Sequence, residues 1–197
     1  MKTLTFLLLI FGCFGLPPSA QTSKLNPALI KKIDSMFKDD QFWRIEDQKL
    51  QRNQKSVYSA ETIQQKWAEA DSINEIKAKL IIKKYGFPGY DQVGETSNDF
   101  WAIVQHCDDD IAFQEMVLAL LKKEVDKNNA SKTNYALLTD RVLVGKNQKQ
   151  IYGTQIKRDP KTGKWAPFPL KYPKLVNKLR KQMDLGPLAD YVKQFNR

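Results

Sequence analysis

Between residues 134 and 155 the chain reads NYALLTDRVLVGKNQKQIYGTQ, and this stretch restricts the possible folds more tightly than the rest of the sequence does. An Asp-Arg pair, three Gln, two Tyr and a Gly-Thr step stand among aliphatic and β-branched residues that draw the segment inward. A buried amide, hydroxyl or carboxylate without a partner costs about 1–3 kcal/mol. The fold must therefore supply either a closed polar network or a ligand site here. Val142-Leu143-Val144, the turn Gly145-Lys146-Asn147-Gln148 and Ile151-Tyr152 read as two strands of a hairpin. Residues 135–139 fit either a strand or a last helical turn. A second turn, Asp159-Pro160-Lys161-Thr162-Gly163, joins Gln155-Ile156-Lys157 to residues 165–168, which predicts a three-strand meander.

The residues ahead of that stretch have helical periodicity. Asn26-Pro27 predicts a capped start, followed by the stripe Leu29, Ile33, Met36 and Phe37. Continued at helical spacing, that face carries Asp40, Gln41 and Arg44 where apolar residues are expected. Either the helix emerges into solvent there or the face lines a polar pocket. A polar linker, residues 51–59, precedes a helical region with Ile63 and Trp67 on one face. Asp71-Ser72-Ile73-Asn74 then reads as a new N-cap, and Gly86 with Pro88 as the stop. A third helix, capped by Thr96 or Ser97, presents Phe100, Val104 and Cys107 and carries Gln105 and His106. Asp108-Asp109-Asp110 supplies capping carboxylates for a fourth, with the stripe Ile111, Gln114, Val117, Leu118, Leu121 and Val125. The inward amide of Gln114 needs a partner, and His106 is the expected one. Pro173 opens a helix that Gly186-Pro187 ends, and a short turn closes the chain. The fold class is α+β: a predominantly helical single domain, residues 21–197, with a small antiparallel β-meander.

The apolar run over residues 4–16, followed by Pro17-Pro18-Ser19-Ala20, reads as a signal peptide spanning residues 1–20 and predicts export to the periplasm or beyond. It is too short for a membrane span, which needs about 20 residues. The alternative is lipidation at Cys13, opposed by the bulk of Phe11 where a small residue is wanted. Cleavage before Gln21 leaves Cys107 alone, so packing and not a disulfide must stabilise the domain. The net charge is +10, but only six of the 32 basic residues are Arg. Lys lacks the planar fork that reads phosphates and base edges, and no RNA-binding, zinc-knuckle or basic-aromatic pattern appears. A nucleic-acid partner is therefore not expected; adsorption to an anionic envelope surface is.

The series Asp40-Gln41-x-x-Arg44, Asp71-x-x-Asn74, Gln105-His106-x-Asp108, Gln114, Asp140-Arg141-Val142 and Gln150-x-Tyr152-Gly153-Thr154-Gln155 resembles an uncharacterised bacterial domain-of-unknown-function family found in secreted proteins. The likeness spans nearly all of the chain after residue 20. It implies a shared single-domain fold and a shared polar site, with no activity to transfer. Phe87 and Cys107 depart from the Trp and Ala expected of the family pattern, and a Cys where Ala is tolerated argues against a thiol nucleophile.

His106 is the only histidine and the natural centre for proton transfer near neutral pH. Asp108, Asp109 or Asp140 could orient it, while Arg44 and Arg141 could hold an anionic group. A structural histidine is the competing reading. His106, Asp140 and Arg141 are the candidate catalytic residues. Asp40, Gln41, Arg44, Gln105, Gln114, Gln150, Tyr152, Thr154 and Gln155 are the candidate ligand contacts, all expected to converge on one pocket. Metal spacing is lacking for His106 with Asp108 and Asp110, and Gly153-Thr154 is not a phosphate loop. No metal or cofactor is predicted. The expected partner is a polar or anionic small molecule or an envelope component, bound with or without catalysis.

Overall fold

Asn26 caps the first helix as expected, its side-chain oxygen accepting from the Leu29 N–H at 3.1 Å with Pro27 in the first turn. The computed structural model describes residues 25–196. Helices α1 (Pro27–Gln51) and α2 (Ala60–Tyr85) are followed by the short α3 (Tyr90–Val93), then α4 (Thr96–Gln105), α5 (Ile111–Asp126) and α6 (Lys132–Gly145). Strands β1 (Ile156–Arg158) and β2 (Trp165–Pro167) precede α7 (Val176–Gln182) and α8 (Leu188–Phe195). The class is α+β and mostly helical, and no described helix is long and apolar enough to cross a membrane. The expected leader, with Cys13 in it, lies outside the described residues.

Helix α4 is the hub, packing against α1, α2, α5 and α6. Phe100 and Val104 are fully buried, Ile103 nearly so, and the Phe100 ring meets Phe87 edge-on at 5.7 Å. The stripes of the neighbouring helices converge on it, with Leu29, Ile33 and Met36 from α1, Ala78, Ile81 and Ile82 from α2, and Val117 and Leu121 from α5. But α4 has only 10 residues, against 25 in α1 and 26 in α2. It runs alongside α1 from Asp34, which Thr96 touches, to Asp40, which His106 touches. Beyond Asp40, the inward face of α1 has no α4 beside it. The polar substitution of that stripe begins where its apolar partner ends.

Several local expectations are corrected. Residues 142–144 form the last turns of α6: Leu138 and Val142 bury one helical stripe in the core, and packing of α6 on α5 overrides their β-branched character. Ile151-Tyr152 is loop. The sheet is a two-stranded hairpin pairing Ile156 with Pro167, Lys157 with Ala166 and Arg158 with Trp165, so the meander loses its first strand. Its predicted turn is present, with Asp159 Oδ1 accepting from the N–H groups of Lys161 and Thr162. Asp71 is not a cap but an interior residue of an unbroken α2. Helix α4 begins without a side-chain cap, α7 starts at Val176 instead of Pro173, and the terminal turn is a full helix, α8.

Removing the fully buried Phe100 ring leaves a cavity at the centre of the helices packed on α4. Phe100→Ala is expected to lower the unfolding free energy by about 3–5 kcal/mol, measured by urea titration.

Candidate functional site

The buried carboxylate of Asp40, 1 % exposed, ties together the elements at the point where α4 stops. Its Oδ1 lies 2.8 Å from His106 Nδ1 and 2.9 Å from Arg44 Nη1, and its Oδ2 accepts from Gln41 Nε2 at 2.6 Å. Arg44 reaches across to α2, donating through Nη1 and Nη2 to the two oxygens of Asp71 at 2.9 and 3.0 Å. Asp71 also accepts from Trp67 Nε1 at 2.8 Å, and the Arg44 guanidinium stacks 4.8 Å from the Trp67 ring centroid. A carboxylate accepting at Nδ1 puts the proton there and leaves Nε2 of His106 as the free nitrogen. Asp40 thus does the orienting expected of Asp108, Asp109 or Asp140.

Asp108 faces the same space from the α4–α5 turn, held by Arg141 of α6 through Nε at 2.6 Å and Nη2 at 2.5 Å. Burial raises the Asp108 carboxyl, but the hydrogen bond and charge of Arg141, with Gln114 and His106 adding, outweigh it and hold the group below the ordinary carboxylate range. Gln114 does not pair with His106. Its Nε2 donates to the carbonyls of Val104 and Gln105 and to Asp108 Oδ1, closing the end of α4. Gln105 enters the network through its carbonyl. Cys107 is buried, and burial pushes its thiol up to about 12, which leaves it protonated and unreactive near neutrality.

These groups border an open cleft of about 730 Å³ between the second half of α1, the first half of α2 and the α4–α5 turn. Of the residues read from sequence, Arg44, His106 and Arg141 line it, as does Asp108, while Asp40, Gln41 and Gln114 brace its wall from behind. Sequence reasoning missed Asp47, Gln48 and Gln51 on α1 and Gln64, Trp67, Ser72 and Glu75 on α2, and placed Asp71 as a cap. The signal was present: both sets recur at intervals of three and four residues, so each marks one polar helix face. Among the described residues no group of three or more His, Cys, Asp and Glu is placed to hold a metal ion.

The remaining candidates belong to a second, enclosed network that does not line the cleft. Adjacent helical residues point about 100° apart, so α6 sends Arg141 to the cleft and Asp140 to the other side. The fully buried Asp140 accepts from the N–H groups of Ile151, Tyr152 and Thr154 at 2.7–3.1 Å and from Thr154 Oγ1 at 3.0 Å. Gln150 donates to the carbonyls of Gln155 and Phe168 and accepts from the Gln155 N–H. Arg180, 1 % exposed, donates to the carbonyls of Tyr152 and Gly186 and stacks on Tyr191. Gly153 adopts φ +70°, and a Cβ there would meet Leu188 Cδ1 at 2.8 Å. The side chains of Asp140, Gln150 and Arg180 are spent on folding this loop.

A profile of the Family of unknown function (DUF6624) matches residues 27–197. No curated protein and no solved structure matches the chain.

Asp140→Asn replaces an acceptor by a donor among donors. It is expected to cost about 3 kcal/mol or more and to accelerate amide exchange at Ile151, Tyr152 and Thr154, read by hydrogen exchange. A carboxyl held low contributes its full stability above its unfolded titration near pH 4 and loses it as pH falls through the lowered value. The stability gap between wild type and Arg141→Met is therefore expected to be flat above about pH 5 and to close in acid, read by urea unfolding across pH.

Proposed function

The chain belongs to the family of unknown function DUF6624, and we propose that it is an exported protein that binds a polar ligand in the cleft between α1, α2 and the α4–α5 turn. The observation that carries this reading is the cleft itself, at about 730 Å³ a volume suited to a small organic molecule. Its walls are side chains whose positions are fixed by bonds made elsewhere. Arg44 is bidentate with Asp71 and Arg141 with Asp108. Neither guanidinium is free to grip an anion without displacing its carboxylate. The wall also carries Asp47, Glu75 and Asp109, so five carboxylates face two arginines. That balance suits a neutral or amine-bearing ligand, recognised through Gln48, Gln51 and Gln64 as well. Export rests on the apolar leader, residues 4–16.

A second reading, acid–base catalysis on the bound ligand, is favoured by the Asp40–His106 pair. With Nδ1–H held by a buried carboxylate, His106 Nε2 can take a proton from a water that attacks the ligand, and Asp40 steadies the imidazolium that forms. No side chain makes a hydrogen bond to Nε2 among the described residues, so Nε2 is open to a water in the cleft.

A thermal-shift screen of neutral sugars, amino sugars, amino acids, polyamines, nucleotides and peptidoglycan fragments tests both readings. A ligand at about 100 times its Kd adds about 2.7 kcal/mol, a rise of several degrees for a domain of this size. The rise is expected with neutral or amine-bearing compounds and is expected to vanish in Gln48→Ala/Asp109→Ala. Equal shifts in that variant, or none with any compound, overturn the binding reading. If turnover of the hit is found, His106→Gln should lower it about 100-fold or more with the shift retained. Unchanged turnover removes the catalytic reading and leaves binding.

A further inference from the structure

The side of the α1–α2 hairpin turned away from the core and the cleft carries an unpartnered mixture of aliphatic and cationic side chains. Ile73, Ile76 and Leu80 on α2 are 50, 60 and 56 % exposed, at the i, i+3, i+7 spacing of one helical face. They are not scattered singly. Three shallow grooves run end to end along the α1–α2 seam: Leu80 borders the first with Lys32 and Lys84, Lys32 and Lys77 border the second, and Lys77 and Ile73 border the third, where Lys66 neutralises Glu69 and Asp39 is the remaining carboxylate. Lys31 and Lys83 flank the seam as well. None of Lys31, Lys32, Lys77, Lys83 and Lys84 is in an ion pair among the described residues, so their charges are left to meet an outside anion. At the far end of the seam, Trp43 shares the third groove and stacks edge-on with the exposed rings of Phe42 and Tyr58, at 4.8 and 5.0 Å.

We propose that this face docks the protein on an anionic phospholipid surface. Aliphatic side chains lying along the helix axis sink to the boundary between headgroups and acyl chains, long lysines beside them reach phosphate oxygens, and a Trp-Tyr cluster suits the same depth. Nucleic acid fits less well. No arginine stands on the face, so it lacks the planar fork for bidentate phosphate or base contacts, and exposed Ile and Leu gain nothing from a solvated phosphate backbone. The attraction is electrostatic at range and apolar at contact, so both components are needed.

The geometry also fixes the orientation. Asp71 and Ile73 lie two residues apart on α2, and Arg44 and Phe42 two apart on α1, so each pair is separated by about 200° around its helix. With the seam on the lipid, the cleft opens away from it. The inference stands apart from the ligand reading, since it uses none of the cleft residues.

Vesicle co-sedimentation of residues 21–197, which include all of the described fold, tests it. The expected result is binding to phosphatidylcholine vesicles containing about one third phosphatidylglycerol, at least tenfold weaker binding to pure phosphatidylcholine, and loss between roughly 50 and 500 mM salt as screening shortens. Lys83→Glu/Lys84→Glu with the half-buried Lys77→Glu and, separately, Ile76→Ser/Leu80→Ser are each expected to reduce partition about tenfold with little change in melting temperature, because Ile76, Leu80, Lys83 and Lys84 are exposed and Lys77 is in no ion pair among the described residues. Lys157→Glu/Lys161→Glu/Lys164→Glu, on the β hairpin, makes the same change in net charge and is expected to keep most of the binding. Equal loss in that control overturns the proposal in favour of non-specific net charge. Equal binding to neutral vesicles, or tight binding to duplex DNA without vesicle binding, overturns it as well.

Discussion

A carboxylate buried at 1 % exposure demands compensation, and how Asp40 obtains it organises the cleft half of the molecule. Its three partners come from two helices: Gln41 and Arg44 on its own, and His106 at the end of α4. Through Arg44 the network continues to Asp71 and Trp67 on α2. Removing any one donor leaves the charge short of a partner, so α1, α2 and α4 are locked to one another where the apolar core gives out. A network of this kind contributes little net stability over an apolar equivalent, but it specifies one arrangement. Here that arrangement holds an imidazole at the edge of an open cleft.

The α6 helix shows how two adjacent residues can serve opposite purposes. Arg141 emerges to brace Asp108 at the cleft, while Asp140 turns inward and gathers the N–H groups of residues 151, 152 and 154 around itself. The loop has no regular secondary structure to satisfy its amides, so a buried anion takes the place of a strand partner. The cost of burying that charge is offset by several charge-assisted bonds and by the nearby Arg180, which is itself held by two carbonyls. An over-polar segment thus resolved into one enclosed structural centre and one contact at the cleft wall, which sequence alone could not separate.

What could be read from the sequence follows the range of the interactions concerned. The caps at Asn26 and Asp110 and the stop at Gly86 depend on residues within a turn of themselves, and they stand where predicted. So does the Asp159 turn. The strand assigned to residues 142–144 failed because burial against α5 decided the conformation, and that contact is invisible to local propensity. Asp71 failed for a related reason: an Asp before Ser and Asn has the chemistry of a cap, but its partner Arg44 lies 27 residues away. Asp40, Arg44, His106 and Arg141 were each identifiable as polar intrusions on apolar stripes. That His106 pairs with Asp40 across 66 residues, and not with a nearer aspartate, required the third dimension.

The length mismatch between α4 and the α1–α2 hairpin explains why one helix pair can carry two unlike surfaces. An amphipathic helix inside a domain ordinarily has one buried and one solvated face. Here the inward faces of α1 and α2 outlast the short helix that covers them, so each inward stripe passes from apolar to polar at Asp40 and Asp71 and forms the cleft. The outward faces need satisfy no core at all, and only solubility limits their composition. Exposed Ile73, Ile76 and Leu80 work against solubility, and the unpaired lysines around them offset that cost without covering the apolar surface. A face that served solubility alone would have no use for the aliphatic stripe. Retaining both is consistent with a surface that must stay dispersed in water and still release apolar area when it meets a negatively charged boundary.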